Sequence, residues 1–174
     1  MDPDLFYNGT TLEWYGVGVF KASSGLPGHQ RADEQLNSDE GPIPEGLYSF
    51  PLKMTRDADI ESIDREGAHL DRREGVEHLP PSFEFRGKTY INQAWGPDRV
   101  RLTVQHYKNP KVKRAGGFYL HDSHKGFSHG CIEVEQRFFM QLRGYIARGG
   151  KRTRLYVKVD YPSATASTYG GTAY

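Results

Sequence analysis

The sequence predicts a mostly β, mixed α+β domain with one main helix late in the chain. Three observations predict it. Twenty Gly and ten Pro punctuate the 174 residues at short intervals, as turn-rich strand folds require. The apolar residues between them fall in short runs, several alternating with polar ones. Only residues 133–148 carry apolar side chains at helical spacing over several turns.

The elements follow in order. Asn8-Gly9-Thr10 reads as a turn, and TLEWYGVGVFKA (11–22) as two short strands around Gly16 and Gly18. That GxG follows no long apolar strand and opens no helix, so it is not a nucleotide-binding fingerprint. Residues 23–46 form a loop broken by Gly25, Pro27, Gly28, Pro42, Pro44 and Gly46, and Leu47–Phe50 a strand. Residues 56–79 are mostly charged, with Ile60, Ile63, Leu70 and Val76 thinly spread. They read as a solvated helical or irregular excursion, the rival reading being a partner-binding insert. Strands return at Phe83–Phe85, at Val100–Val104, which alternates cleanly, and at Gly116–Leu120, which ends on His121.

In EVEQRFFMQLRGYIAR (133–148), Val134, Phe138, Leu142 and Tyr145/Ile146 share one face. Glu133 and Glu135 open this expected helix, Arg143 and Arg148 close it, and Gly149-Gly150 ends it. Leu155–Val159 is a final strand. The expected organisation is one domain over 1–162 and a flexible tail, SATASTYGGTAY, over 163–174.

Composition excludes several classes. Hydrophobic residues at 36% supply a core, so global disorder is ruled out. Lys plus Arg number 23 and Asp plus Glu 22, for a net charge of +1, which gives no bulk attraction to nucleic acid. No apolar run approaches a membrane span, and the mean hydropathy is −0.72. The first eight residues have neither a basic nor an apolar leader region, so the chain is expected to be made in the cytoplasm without a secretory signal. A single cysteine, Cys131, excludes an internal disulfide and a four-cysteine zinc site.

The chemistry concentrates in FYLHDSHKGFSHGCIE (118–133). A strand delivers His121, and Ser128-His129-Gly130-Cys131 leads into the expected helix. A thiol at a helix N-terminus favours the thiolate. His121 and His129 are candidate bases, and the Gly130 and Cys131 N–H groups candidate oxyanion donors. Nucleophile, base and donors together suit acyl transfer through a thioester. Four residues, His121, His124, His129 and Cys131, form an alternative zinc set of loose spacing. His124 otherwise reads as an exposed loop residue. A redox-sensor cysteine would lack a resolving partner. Trp95 reads equally as core or as a wall for a glycan or peptide.

This pattern resembles the L,D-transpeptidase (YkuD-like) catalytic domain. Its hallmark is a His, a spacer, then Ser/Thr-His-Gly-Cys and an apolar residue, here His121 and Ser128 to Ile132. ASSGLPG (22–28) and GPIPEGLYSF (41–50) look like the compact toxins of that group delivered by type VI secretion. The resemblance covers residues 16–50 and 116–160. It implies an L,D-transpeptidase-like β-sandwich or barrel. It makes Cys131 the nucleophile and His121 the base, oriented by the Asp122 main chain. His129 would line the site, and Ser128 would shape the turn by a local hydrogen bond.

Two features depart from the cell-wall enzymes of the family. Ten residues separate His121 from Cys131, a shorter interval that fits the toxin branch. Position 133 is Glu where Asn or Arg is usual. An acidic group there is expected to repel a substrate carboxylate, with Lys125 offering compensation. Ser128, Glu133 and Trp95 are thus the expected substrate-contacting set.

The function so implied is attack on peptidoglycan tetrapeptide stems, with no cofactor and no metal. Expected partners are those stems, a periplasmic immunity protein and a spike or tube component of the secretion machine. The site of action is expected to be the periplasm of a target bacterium. The rival is a non-catalytic peptidoglycan- or partner-binding module with a disabled site, for which Glu133 speaks.

Overall fold

Turn chemistry sets where the chain reverses. The computed structural model describes residues 2–56 and 58–174. Met1 and Asp57, which fall within the expected domain 1–162 and segment 56–79, lie outside the described residues. β1 (Leu5–Tyr7) and β2 (Thr11–Trp14) are joined at Asn8, whose Oδ1 accepts from the Thr10 and Thr11 N–H groups at 3.0 Å each. Gly16, at φ +80°, turns β2 into β3 (Gly18–Ser23). The long loop that follows holds one 3-10 turn, Ala32–Glu34, and delivers β4 (Gly46–Pro51).

Two hairpins come next, β5 (Ile60–Asp64) with β6 (Gly67–Leu70), and β8 (Ser82–Phe85) with β9 (Lys88–Ile91). The short β7 (Val76–His78) lies between them. The order then runs β10 (Asp98–Arg101), β11 (Thr103–Tyr107), β12 (Tyr119–His121), β13 (Ile132–Val134), α1 (Gln136–Arg148) and β14 (Arg154–Val159).

Ten strands form one sheet in the order β11-β4-β14-β1-β2-β3-β13-β12-β10-β7. β1 with β14 and β12 with β13 pair parallel. β10 and β11 are separated by Leu102 alone, yet stand near opposite ends of that order. A one-residue link spans at most about 7 Å between the flanking Cα atoms. The sheet must therefore curl until its ends approach, which makes it a half-barrel. Leu5, Leu12, Tyr48, Phe50, Val100 and Leu120 fill its inside, all fully buried. α1 packs Phe138, Phe139 and Leu142 onto this core, the Phe138 ring meeting Trp14 at 5.8 Å and Phe20 at 5.5 Å. The fold is mostly β with one α-helix among the described residues.

Four local expectations give way to tertiary pairing. The helix expected from residue 133 begins at Gln136, because residues 132–134 are claimed by β12 on one side and β3 on the other. The Val100–Val104 run is two strands, broken where the Leu102 N–H donates to Phe118 O at 2.8 Å. The described residues of 56–79 are not a helical or irregular excursion. They hold the β5–β6 hairpin, turned at Gly67 (φ +123°), and β7, which joins the main sheet against β10.

The segment 163–174 is packed, not frayed. It runs along the 23–33 loop, where the Ala32, Asp33 and Thr168 N–H groups donate to Ala166, Ala164 and Gln30. The Gly170 N–H donates to Ser23 Oγ at 2.8 Å, and Thr168 is fully buried.

Native-state hydrogen exchange tests this packing. The Thr168 and Gly170 amides should be protected well beyond a free tail. A Cβ at Gly170 would run into the Thr10 and Ala22 carbonyls. Gly170→Ala should therefore strip protection from residues 164–172 and cost about 1–3 kcal/mol in a urea titration. Free-tail exchange rates in the native protein would contradict the packing.

Candidate active site

The register of β12 on β13 builds the site. Leu120 lies opposite Ile132 and His121 opposite Glu133, and extending it by one residue sets Cys131 beside Tyr119. Paired residues share a sheet face and successive ones alternate. Tyr119, His121, Cys131 and Glu133 therefore share one face, with the thiol and the imidazole on its diagonal. Leu120 and Ile132 point the other way and are fully buried.

Cys131 is half-buried, and the Tyr119 main chain offers it a hydrogen bond. It follows a tight turn. Gly130 sits at φ +109° against the Arg114 guanidinium, which leaves no room for a Cβ. Ser128 Oγ donates to Cys131 O at 2.5 Å and so shapes the turn. Because a strand follows the cysteine, no helix N-terminus among the described residues faces the thiol. Burial pushes the thiol up to about 11, against the opposing pull of the Tyr119 main chain and the Lys125, Arg99 and Arg114 cations.

His121 is only 2% exposed. Burial, reinforced by the Lys125 and Arg99 cations, holds its imidazole down to about 3. The Trp95 main chain and Ser123 Oγ, the latter 3.1 Å from Nδ1, orient the ring. The Asp122 main chain, expected in that role, instead donates its N–H to Asp98 O, while the Asp122 side chain accepts from the Asp98 N–H at 2.8 Å. Burial, with the Asp98 carboxylate beside it, raises the Asp122 carboxyl to about 7.

The remaining expected residues are placed as follows. His129 is exposed, its Nδ1 3.1 Å from Asp39 O. Trp95 stands edge-on to His121 at 5.5 Å and beneath the Arg99 guanidinium, which also covers Tyr119. It is thus partly a wall and partly anchored. His124 stacks on Tyr174, with Nε2 2.9 Å from its hydroxyl. Glu133 is completely buried and bonded only to protein donors, so it offers no surface to substrate.

Among the described residues, the one set of three ligand side chains within metal reach is Asp64, Glu66 and His69, all exposed. His121, His124, His129 and Cys131 do not converge. Ser123, Arg114, Arg99 and Thr172 enter the site without having been singled out from the sequence. Ser123 alone had a signal, two residues after His121.

Two grooves are lined by residues close to the thiol in the fold, although Cys131 itself lines neither. One, of about 520 Å³, runs past Trp95, Lys125, Tyr90, Phe83 and Leu70 between the two hairpins. The other, of about 300 Å³, is lined by Phe118, Arg114, Lys113 and His129. Lys125 is balanced by Glu66 in the first groove, whereas Lys113 and Arg114 outnumber Asp39 in the second, so an anionic peptide is favoured in the second. No family model matches the chain, and no curated protein matches it.

The thiol is protonated at neutral pH with a neutral imidazole nearby. Alkylation of Cys131 by iodoacetamide should therefore be slow at pH 7 and rise about tenfold per pH unit as the thiolate forms, levelling off only above about 11. A rate already at its plateau at pH 7 would show a low-pKa thiolate and contradict this electrostatic picture.

Proposed function

We propose that the protein is a cysteine enzyme that cleaves or exchanges the peptide stems of peptidoglycan, working as an L,D-carboxypeptidase or L,D-transpeptidase. The observation that carries this reading is Cys131 and His121 on one face of adjacent parallel strands, between grooves that bear Lys125 and Arg114. The resemblance of Ser128-His129-Gly130-Cys131 and of GPIPEG to L,D-transpeptidase toxins supplies the substrate class, and with it the family's sandwich or barrel as the finer fold assignment.

The chemistry runs from a neutral pair. The Cys131 sulfur attacks the carbonyl of the diamino acid at stem position three as its proton passes to His121 Nε2. The Gly130 and Cys131 N–H groups are the nearest oxyanion donors. The tetrahedral adduct collapses, the C–N bond breaks, and His121 returns the proton to the departing D-Ala amine. Water or a second amine then attacks the thioester, gives its proton to His121, and the thiol is restored. Water gives trimming, a free D-amino acid gives exchange, and another stem gives a crosslink.

The resemblance to the secreted toxins, together with the short His-to-Cys interval, supports delivery by a type VI machine into a competitor's periplasm. A spike or tube component would carry the protein, and an immunity protein would shield sister cells. The second reading, a binding module with a disabled site, draws on the protonated resting thiol. Burial of Glu133 away from both grooves removes the argument that first favoured it.

Mass spectrometry of muropeptides after incubation with the pure protein decides between them. The native protein should shorten or exchange tetrapeptide stems. Cys131→Ala should lower the rate by about 10⁴–10⁶-fold without loss of fold, with His121→Ala nearly as severe and His124→Ala mild. Because the steps use only thiol and imidazole, EDTA should leave the rate unchanged. Native-level processing by Cys131→Ala would refute the mechanism. Loss with EDTA and rescue by zinc would move the assignment to a metal site.

Periplasmic expression in a susceptible bacterium should cause lysis that depends on Cys131, and cytoplasmic expression should not. Equal toxicity of the native and Cys131→Ala forms in the periplasm would leave the binding module as the better reading.

A further inference from the structure

Glu133 is a buried acid held by four donors. Oε1 accepts from the Gly126 N–H at 2.7 Å and Thr172 Oγ1 at 2.5 Å. Oε2 accepts from the Lys125 N–H at 3.1 Å and from the Ser123 hydroxyl. A hydroxyl has one proton. Ser123 gives its proton to Glu133, so toward His121 Nδ1, 3.1 Å away, it can only accept. Ser123 therefore favours the hydrogen on Nδ1, with the lone pair left on Nε2, in a ring that the Trp95 main chain also bonds. A serine's direction of donation, set by a carboxylate, thereby selects the imidazole tautomer.

The fourth donor comes from the segment 163–174. Thr172 is 4% exposed and lies 2.9 Å from Ser23 Oγ, on the same hydroxyl that receives the Gly170 N–H. The segment is tied to β3 at the point where it reaches Glu133.

We propose that Glu133 is the positioning carboxylate of this site, acting on His121 through Ser123, and that Thr172 from the segment 163–174 completes the relay. The inference rests on the reading of His121 as the base, but the tautomer it sets can be observed without any substrate. A purely structural role, clamping the 123–126 loop, would also use the Lys125, Gly126 and Thr172 bonds. It would make no use of the Ser123–His121 contact.

The test is ¹⁵N NMR of the imidazole nitrogens in the full chain at neutral pH, for the native protein and for Ser123→Ala, Glu133→Gln and Thr172→Val. Native His121 should be protonated on Nδ1 and bare on Nε2. Ser123→Ala leaves the Lys125, Gly126 and Thr172 bonds to Glu133 in place and removes the Ser123 hydroxyl from both Glu133 and His121, so it should release His121 toward a mixture with the Nε2–H form. Glu133→Gln should do the same, and Thr172→Val should do so to a smaller extent.

In the muropeptide assay Ser123→Ala should lower kcat on the order of 10–100-fold with KM little changed. An Nε2–H native ring, or a tautomer unmoved by Ser123→Ala, would overturn the relay. A tautomer unmoved by Thr172→Val would overturn the part assigned to the segment. If the tautomers shift as stated while no form processes stems, the relay stands and the peptidoglycan reading fails.

Discussion

Two residue pairs, Leu120 with Ile132 and His121 with Glu133, are the whole ladder between β12 and β13, yet they set every relation in the site. Parallel strands usually need a crossover of a dozen residues or more. Here residues 122–131 make the return, too few for a helix to help. The loop is secured by side chains instead. Glu133 takes the Lys125 and Gly126 amides, Gln30 Nε2 donates to Gly126 O at 2.6 Å, and the Ser128 N–H donates to Gly25 O at 3.1 Å. A slip of one residue would put Ile132 where Glu133 stands and turn the thiol into the core. The buried acid therefore holds the register as well as the loop.

That arrangement has an electrostatic consequence. Burial disfavours charge on both Cys131 and His121, raising the thiol and lowering the imidazole, so the pair rests as SH and neutral ring. A preformed thiolate–imidazolium pair is a different strategy. It needs a helix N-terminus or an adjacent imidazolium to hold the sulfur's charge, and neither is built here. In the proposed reaction, charge appears only when the sulfur attacks, and Lys125, Arg99 and Arg114 are already in place to meet it. Preorganised cations that act on the charged adduct more than on the neutral ground state lower the barrier itself.

Local chemistry in the sequence was legible where it is settled within a few residues. The Asn8 and Gly16 turns, the strand after GPIPEG and the Phe138–Leu142 face all follow from neighbours a turn or a strand apart. What was not legible depends on partners far along the chain. Glu133 followed by Val134, Phe138 and Leu142 reads as a helix start, and only β3 and β12, absent from that window, pull residues 132–134 into a sheet. The charged 56–79 stretch hides a hairpin because its strands are mostly exposed, with Ile60 alone buried in β5. Cys131 and His121 stand out by residue type and spacing. Thr172 lies 39 residues from Glu133 in a stretch of small polar side chains, and no local pattern marks it.

Arg114 explains what the GPIPEG element does in physical terms. Its guanidinium is nearly buried and lies over Phe118 at 5.1 Å. Among the described residues it makes no ion pair within reach of a carboxylate, and it spends its donors on main-chain carbonyls: Gln35, Gly41 and Pro42 from the loop, and His129 from the turn before the cysteine. The prolines and glycine of the element hold those carbonyls in line, with the Tyr48 hydroxyl on Pro44 O and the Tyr161 hydroxyl on Ile43 O. A cation solvated by dipoles keeps its net positive charge, whereas one paired with Asp or Glu loses most of its field a few ångströms away. The element thus fixes the turn that carries Gly130 and Cys131, and it leaves an uncancelled positive charge beside a thiol whose adduct, in the proposed reaction, is negative.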